Sequence, residues 1–126
     1  PVVDVLPMGA QAIRRGVSIV SGPGNDLVSS TAMAAAGAQV ILFTTGRGTP
    51  YSTVVPTIKI SSNTGLFNRK RGWIDFDAGP LLEGADRTEA AKALLSLVAD
   101  TASGQERRGE KNSCGEIAIF KDGVTL

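Results

Sequence analysis

Residues 39–60, QVILFTTGRGTPYSTVVPTIKI, hold two short apolar runs separated by a polar segment that contains two glycines. The runs at residues 39–44 and 57–60 have the length and the β-branched content of buried strands. Similar runs occur at residues 17–21 and 73–76, and stretches with helical periodicity lie between several of these runs. Such alternation is typical of α/β proteins, so the sequence predicts an α/β fold with a mostly parallel sheet.

Three stretches have the periodicity and the caps of helices. Residues 27–36 place apolar and small side chains on one face, and Gly37 stands where a left-handed C-cap is expected. A shorter helix is predicted over residues 61–68, capped by one of its first two serines. The last helix, residues 86–102, begins at a capping aspartate and is expected to bury an apolar stripe made of Ala90, Ala91, Leu94, Leu95, Val98 and Ala102.

The two ends of the chain also carry local signals. A short helix is expected over residues 8–15, ahead of the first strand. Residues 105–115 are polar and flanked by glycines, which predicts a solvated and mobile loop. A strand at residues 116–120, followed by a turn at Asp122 and Gly123, predicts a C-terminal β-hairpin. No linker divides the chain, so its 126 residues are expected to form one domain.

The composition excludes several classes of function. The net charge of +1 does not indicate nucleic acid or an anionic membrane as a partner. Histidine is absent and Cys114 is the single cysteine, which excludes a Cys/His zinc cluster and an intrachain disulfide. No apolar run approaches the ~18 residues of a membrane span, and the N-terminus lacks a signal-peptide pattern. We therefore expect a cytoplasmic protein whose chemistry uses Lys, Tyr, Asp, Glu or another segment.

In an open parallel sheet, ligands bind at the carboxyl ends of the strands. The first predicted strand is followed by a glycine-containing turn that opens into a helix and contains Gly22, Gly24, Asn25 and Asp26. Backbone N–H groups at such a helix start suit a carboxylate or a phosphate. The alternative is a tight turn in which Asn25 or Asp26 only caps the helix. The spacing fits neither a dinucleotide fingerprint nor a P-loop, so nucleotide binding is not indicated.

The segment after the second predicted strand has the strongest signal for a ligand. Gly46 and Gly48 flank Arg47 and allow the backbone to approach a ligand closely. Arg47 offers a planar fork suited to a carboxylate, and hydroxyl groups come from the neighbouring Thr44, Thr45 and Thr49. The alternative is an ordinary long connection with turn residues.

The next two strands end in polar residues as well. Asn63 lies at the predicted start of the second helix, after Lys59 inside the third strand. A lysine within a strand usually lies at a sheet edge with its amine in water, which is the alternative to a functional role for Lys59. Asp75 and Asp77 alternate onto one face of the fourth strand, which is suited to hydrogen bonding or to metal coordination. Two carboxylates are too few to define a metal site, so the metal ligands stay unknown.

Three stretches together resemble the C-terminal part of the altronate and galactarate dehydratase family of sugar-acid dehydratases. They are GPGNDLVSSTAMAAAGAQVILFTTGRGTPYSTVVPTIKISSN, WIDFDAG and EIAIFKDGVTL. The resemblance covers residues 21–126 and implies a three-layer, Rossmann-like domain at the C-terminus of a longer enzyme. N-terminal and middle domains of the same chain would precede it. The residues NSCG at 112–115 depart from the family pattern, and they lie far in sequence from the glycine-rich loops.

The resemblance also implies a chemistry. It implies a hydro-lyase that converts galactarate or altronate to a 2-keto-3-deoxy acid and depends on iron or a similar divalent metal. An enediolate beside a carboxylate needs positive charge and hydrogen-bond donors, which Arg47 and the loop N–H groups offer. Lys59 or Tyr51 is the candidate acid or base, and the isolated chain is expected to be inactive. The alternative is a separate module that binds a small acid or mediates oligomerisation, with a homodimer left open.

Overall fold

The computed structural model describes residues 1–119 and contains five strands in two parallel sheets. One sheet pairs β1 with β2, and the other has the order β3-β4-β5. Every pair is parallel, which confirms the predicted α/β class and the parallel pairing. The strands are β1 Val2–Leu6, β2 Val17–Val20, β3 Ile41–Thr45, β4 Thr57–Ser61 and β5 Phe76–Asp77.

The single sheet expected from the sequence is divided in two because β2 pairs with a strand that the sequence did not predict. β1 contains Asp4 and an irregular register next to it, so its apolar alternation is interrupted. The helix expected over residues 8–15 is also absent from the structure. Gly9 has a φ of 82°, and the N–H of Ala12 donates to Ala36 O at 2.9 Å instead of closing a helical turn. That segment is a connection between two parallel strands.

Side-chain caps mark the starts of α1, α2 and α3. Asn25 and Asp86 accept backbone N–H bonds at the starts of α1 and α3, and Gly37 has the predicted left-handed φ of 107°. The second helix is capped by Asn63 and not by a serine, because the Asn63 side chain accepts from Leu66 N. The helices are α1 Asp26–Ala35, α2 Thr64–Arg69, α3 Arg87–Ala102, α4 Arg108–Lys111 and a 3₁₀ helix at Gly79–Glu83. No helix within residues 1–119 has both the length and the apolar character of a membrane span.

The core lies around β4, in which every residue is buried. Its apolar contributors are Leu6, Ala32, Ala36, Ile41, Tyr51, Ile58, Ile60, Leu66 and Ile74. The apolar stripe predicted for α3 is not buried: Leu95 is 68% exposed, and Thr101 is the one buried residue of that helix. Packing between elements, which a single helix pattern does not contain, decides this outcome.

The fourth strand is shorter than predicted. The N–H groups of Trp73 and Ile74 both donate to Lys70 O, at 2.8 and 3.1 Å, and so continue the turn that follows α2. Regular pairing with β4 begins only at Phe76. The backbone of Asp75 already approaches β4, since its N–H donates to Lys59 O at 2.9 Å.

The prediction of an irregular loop throughout residues 105–115 is wrong, because part of this segment is helical and is bonded to the domain. It contains α4, and Arg107 and Gly109 are buried. The N–H of Arg108 donates to Asp75 Oδ1, and the Asn112 side chain donates to Gly72 O, both at 2.9 Å. Residues 116–119 form no strand, and the predicted turn at Asp122 and Gly123 lies outside the described residues.

Candidate functional site

The carboxyl ends of three strands meet along one edge of the larger sheet. Thr45 of β3 pairs with Ser61 of β4, and Ser61 pairs with Asp77 of β5. Neighbouring strands in a sheet lie ~4.8 Å apart, so the loops that follow them begin side by side. The structure therefore brings together the segments after β3, β4 and β5. The turn after β2, which the sequence predicts at the same sheet edge, follows a strand of the other sheet, because β2 pairs with β1.

Asn63 joins two of these loops. Its Oδ1 accepts from Leu66 N at 2.8 Å, which caps α2. Its Nδ2 donates to Gly46 O at 3.3 Å, which ties the start of α2 to the loop after β3. Two predicted site residues are thus in direct contact, and Asn63 also has the structural role of a cap.

The loop after β3 is held in a tight turn around Thr45. Thr45 Oγ1 accepts from Gly48 N at 2.9 Å and more weakly from Arg47 N at 3.4 Å. Gly48 has a φ of 81°, a conformation that favours glycine. Gly46 and Arg47 are exposed at the tip of this turn, and Thr44 is exposed within β3.

The Arg47 side chain has no carboxylate partner in the described part of the chain. Glu89 and Lys92 form the one ion pair found within residues 1–119. A guanidinium with five donors, exposed beside three strand ends, can donate to both oxygens of an incoming carboxylate. Arg47 is therefore available to an anionic ligand, and its role in binding one stays a prediction.

The glycine-containing turn after β2 belongs to the smaller sheet. Asn25 Oδ1 accepts from Val28 N at 3.1 Å, and the Ser29 hydroxyl donates to Pro23 O. A methyl group added at Gly24 would meet no atom within 4 Å, so the structure gives no steric reason for that glycine. The observed roles are a turn and a helix cap, and a ligand role for Gly22, Gly24, Asn25 and Asp26 stays a prediction.

Tyr51 connects that turn to the loop after β3. Its hydroxyl lies 2.8 Å from Ser30 Oγ and 3.3 Å from Asp26 O, in the first turns of α1. Its ring packs edge-on against Phe43, with the centroids 5.4 Å apart. Burial raises the pKa of Tyr51, the hydrogen bond from Ser30 lowers it, and the Asp26 charge raises it. Tyr51 is 8% exposed, so it is a buried packing residue between α1 and β3.

Lys59 is buried at the centre of the larger sheet, which contradicts its interpretation as an edge lysine. It is 1% exposed, and its Nζ donates to Thr49 O at 2.8 Å. Nζ also lies 6.0 Å from the Tyr51 ring. Burial lowers the pKa of Lys59, while the Asp75 carboxylate and Cys114 act in the opposite direction. The amine therefore anchors the backbone at Thr49, two residues after Arg47.

The two aspartates form hydrogen bonds to backbone N–H groups. Asp75 Oδ2 accepts from Lys59 N at 2.9 Å, so both carboxylate oxygens are used when the Arg108 bond is counted. Asp77 Oδ1 accepts from Gly79 N at 2.9 Å. No cluster of three or more metal-ligating side chains occurs within residues 1–119. The side chains present here therefore do not fit a divalent metal by themselves.

The sequence did not reveal that the C-terminal segment lies next to this site. Glu116 N donates to Ser52 O at 2.9 Å, and a methyl group at Gly109 would lie 2.5 Å from Ser52 Cβ. Cys114, which is far from the glycine-rich loops in sequence, acts on the pKa of Lys59. Ser52 Oγ is fully buried and has no partner among the described residues. A close glycine contact across the fold leaves no periodic signal in the sequence.

The burial of Lys59 predicts a dependence of stability on pH. Because its pKa is lowered from 10.5, the unfolded chain binds this proton more tightly than the folded chain. The free energy of unfolding should therefore rise as pH rises from the lowered value toward 10.5. Urea unfolding from about pH 7 to about pH 9.5 should show this rise in the wild type and in exposed Lys92→Met, but not in Lys59→Met. A wild-type slope in Lys59→Met would contradict the assignment.

Comparison with known proteins finds one matching family and several similar proteins. The family described as D-galactarate/Altronate dehydratase, C-terminal, matches residues 1–125. The chain is 50% identical to an altronate dehydratase of Bacillus subtilis (strain 168) over 127 residues, covering 100% of this chain and 26% of the relative. It is 45% identical to an altronate dehydratase of Escherichia coli (strain K12) over 125 residues, covering 99% and 25%.

A third relative is named for a different substrate. The chain is 37% identical over 108 residues to the galactarate dehydratase (L-threo-forming) of Escherichia coli (strain K12), covering 84% of this chain and 21% of the relative. The chain thus spans about a quarter of the length of the curated relatives that it matches.

Proposed function

The chain belongs to the D-galactarate/altronate dehydratase C-terminal family, and we propose that it is the substrate-binding C-terminal domain of a sugar-acid dehydratase. The observation that supports this role is the position of Arg47, exposed and without a carboxylate partner in residues 1–119, beside three adjacent strand ends. A sugar acid presents a carboxylate for the guanidinium and hydroxyl groups for the neighbouring threonines. The substrate is altronate, galactarate or a closely related acid.

The proposed reaction is a β-elimination followed by a tautomerisation. A base removes the proton from the α-carbon, which is bonded to the carboxylate. The electrons of that C–H bond form a C=C bond between the α- and β-carbons. The C–O bond at the β-carbon breaks, and the hydroxyl group leaves as water after taking a proton. The resulting enol becomes the 2-keto-3-deoxy acid. Negative charge builds up on the carboxylate oxygens in the first step, so a cation at those oxygens stabilises the transition state.

Arg47 and its loop supply that stabilisation in our proposal. Two parallel N–H···O bonds from the guanidinium fix the plane of the carboxylate. Thr44, near the end of β3, is exposed and can bond to a substrate hydroxyl. The turn around Thr45 and the Asn63 bond to Gly46 O hold the backbone in position before the substrate arrives.

Lys59 and Tyr51 support the loop in this arrangement. Lys59 Nζ bonds to Thr49 O, and the Tyr51 hydroxyl bonds to α1, so neither polar atom faces an open surface of the described residues. A general base must reach the proton that it removes. The predicted acid or base role therefore requires that one of these groups become accessible in the complete enzyme. We propose that the base comes from the part of the enzyme outside this chain.

A divalent metal is part of the proposal for the complete enzyme. Its ligands would come mainly from the N-terminal three quarters of the polypeptide, because residues 1–119 contain no three-ligand cluster. When bound, such a metal supplies positive charge to the substrate oxygens. We also propose a cytoplasmic location, since a chain with a single cysteine forms no intrachain disulfide and suits a reducing compartment.

Enzyme assays test the proposal. The full-length protein, supplied with a divalent metal, should dehydrate altronate or galactarate, and the 2-keto-3-deoxy product can be followed colorimetrically. The 126-residue chain alone should show no turnover, because it lacks the base and the metal ligands. A full-length protein that dehydrates neither acid would refute the function. Comparable rates for the isolated chain and the full-length protein would refute the division of the site.

A further inference from the structure

One face of the smaller sheet is made of four exposed aliphatic side chains. Val2, Val5, Val17 and Ile19 are 51%, 67%, 64% and 53% exposed. Val2 pairs with Val17 and Val5 pairs with Ile19 in the β1–β2 register. We call this surface the valine face. Its four members are cross-strand neighbours, so they form one continuous apolar patch.

The backbone of β1 is shaped to build this patch. Val2 and Val5 are three residues apart, and in a regular strand they would point to opposite faces. A register shift between Val2 and Asp4 adds one residue and returns Val5 to the same face as Val2. The extra residue, Val3, packs on Gly16, where a methyl group would lie 2.8 Å from Val3 Cγ1. The bulge thus packs against Gly16 and places Val5 on the same face of the sheet as Val2.

The valine face is unsuited to permanent exposure. Two-stranded sheets are marginally stable in water unless further structure covers them, and continuous exposed apolar patches usually mark interaction sites. None of the four side chains carries charge, so the patch offers no attraction to nucleic acid or to anionic lipid headgroups. Its chemistry fits an uncharged apolar protein surface.

We propose that the valine face packs against the N-terminal part of the same dehydratase polypeptide. This inference depends on the proposed function, which makes the chain a domain of a longer enzyme. The relatives are about four times as long as this chain, which covers 26%, 25% and 21% of them. The matched family is a C-terminal one, so the uncovered polypeptide of the relatives lies before β1. A segment joined directly to β1 has a high effective concentration at this face, which a second copy lacks.

Cysteine labelling in the full-length enzyme tests the inference. Val5→Cys and Val17→Cys are conservative in volume, and Ser96→Cys on the exposed side of α3 is the matched control. Maleimide labelling of each site is followed by mass spectrometry, with the urea-unfolded protein as the reference for the unprotected rate. We expect the two valine-face cysteines to react at least about 100-fold more slowly than in the unfolded protein, at every protein concentration.

Two results would overturn the inference. Labelling of both valine-face cysteines within about fivefold of the unfolded rate would show that the face is open. Protection that disappears on dilution would show that a second copy covers it. A cooperative urea-unfolding transition like that of the wild type verifies that each variant is folded, and Ile19→Cys replaces a variant that is not. Rapid labelling in an active dehydratase refutes the interface alone, whereas a protected face in a protein that dehydrates neither acid refutes the function alone.

Discussion

Replacing Arg47 by alanine in the full-length dehydratase is expected to lower kcat/KM by about 100-fold, which corresponds to ~3 kcal/mol of lost transition-state stabilisation. The substrate carboxylate would lose a bidentate, charge-assisted partner at the oxygens where negative charge builds up. Protein stability should hardly change, because Arg47 is exposed and its side chain makes no ion pair in residues 1–119. Steady-state kinetics with altronate and galactarate provide the measurement.

Arg71 provides the matched control for this substitution. Arg71 is also exposed, and it follows the C-terminal end of α2, whereas Asn63 caps the N-terminal end. Its side chain donates to Asn68 Oδ1 at 2.6 Å. Arg71→Ala should leave kcat/KM within about twofold of the wild type. Arg47→Lys keeps the charge without the planar fork and should lie between the two. Unchanged kinetics in Arg47→Ala would remove Arg47 from the site.

Replacing Gly79 by alanine is expected to lower the free energy of unfolding by about 3 kcal/mol. The added methyl group would lie 2.2 Å from Thr64 N and 2.8 Å from the carbonyl carbon of Asn63. Both atoms belong to the backbone at the start of α2, so relief requires that the helix move. Because Asn63 also bonds to Gly46 O, this shift would disturb the Arg47 loop. Urea unfolding measures the change in stability.

Gly72 is the matched control for Gly79. A methyl group at Gly72 would have no atom within 4 Å, and its φ lies outside the left-handed region. Gly72→Ala should therefore change the free energy of unfolding by no more than about 0.5 kcal/mol. If both alanine variants were equally stable, the close contact between the 3₁₀ helix and α2 would not hold the strand ends together as we describe.

The sequence predicted the elements whose signals are local. β2, β3 and β4 are short apolar runs, and α1 and α3 begin at side-chain caps that the structure confirms. The contact between Asn63 and Gly46 was also foreseeable, because parallel strands place their carboxyl ends at one edge. Local chemistry and sheet geometry were sufficient for that part of the candidate site.

The parts that the sequence missed depend on contacts between distant residues. Residues 105–115 look solvated because they are polar, yet Arg108 N bonds to a carboxylate 33 residues away and Asn112 bonds to a carbonyl 40 residues away. From the sequence alone, Lys59 is typical of an edge strand, but in the structure its amine donates to Thr49 O inside the fold. β1 was missed because its bulge breaks the alternation that marks a strand. In each case the partner, and not the residue itself, decides the outcome.

A crystal structure of the full-length enzyme with its metal and an unreactive sugar-acid analogue tests the central claim most directly. Our account predicts that the analogue lies at the edge formed by Thr45, Ser61 and Asp77. Its carboxylate should be bound by the Arg47 guanidinium through two N···O distances of about 2.7–3.0 Å. An analogue that binds beside the metal without touching Arg47 or the loop of residues 44–49 would contradict the account.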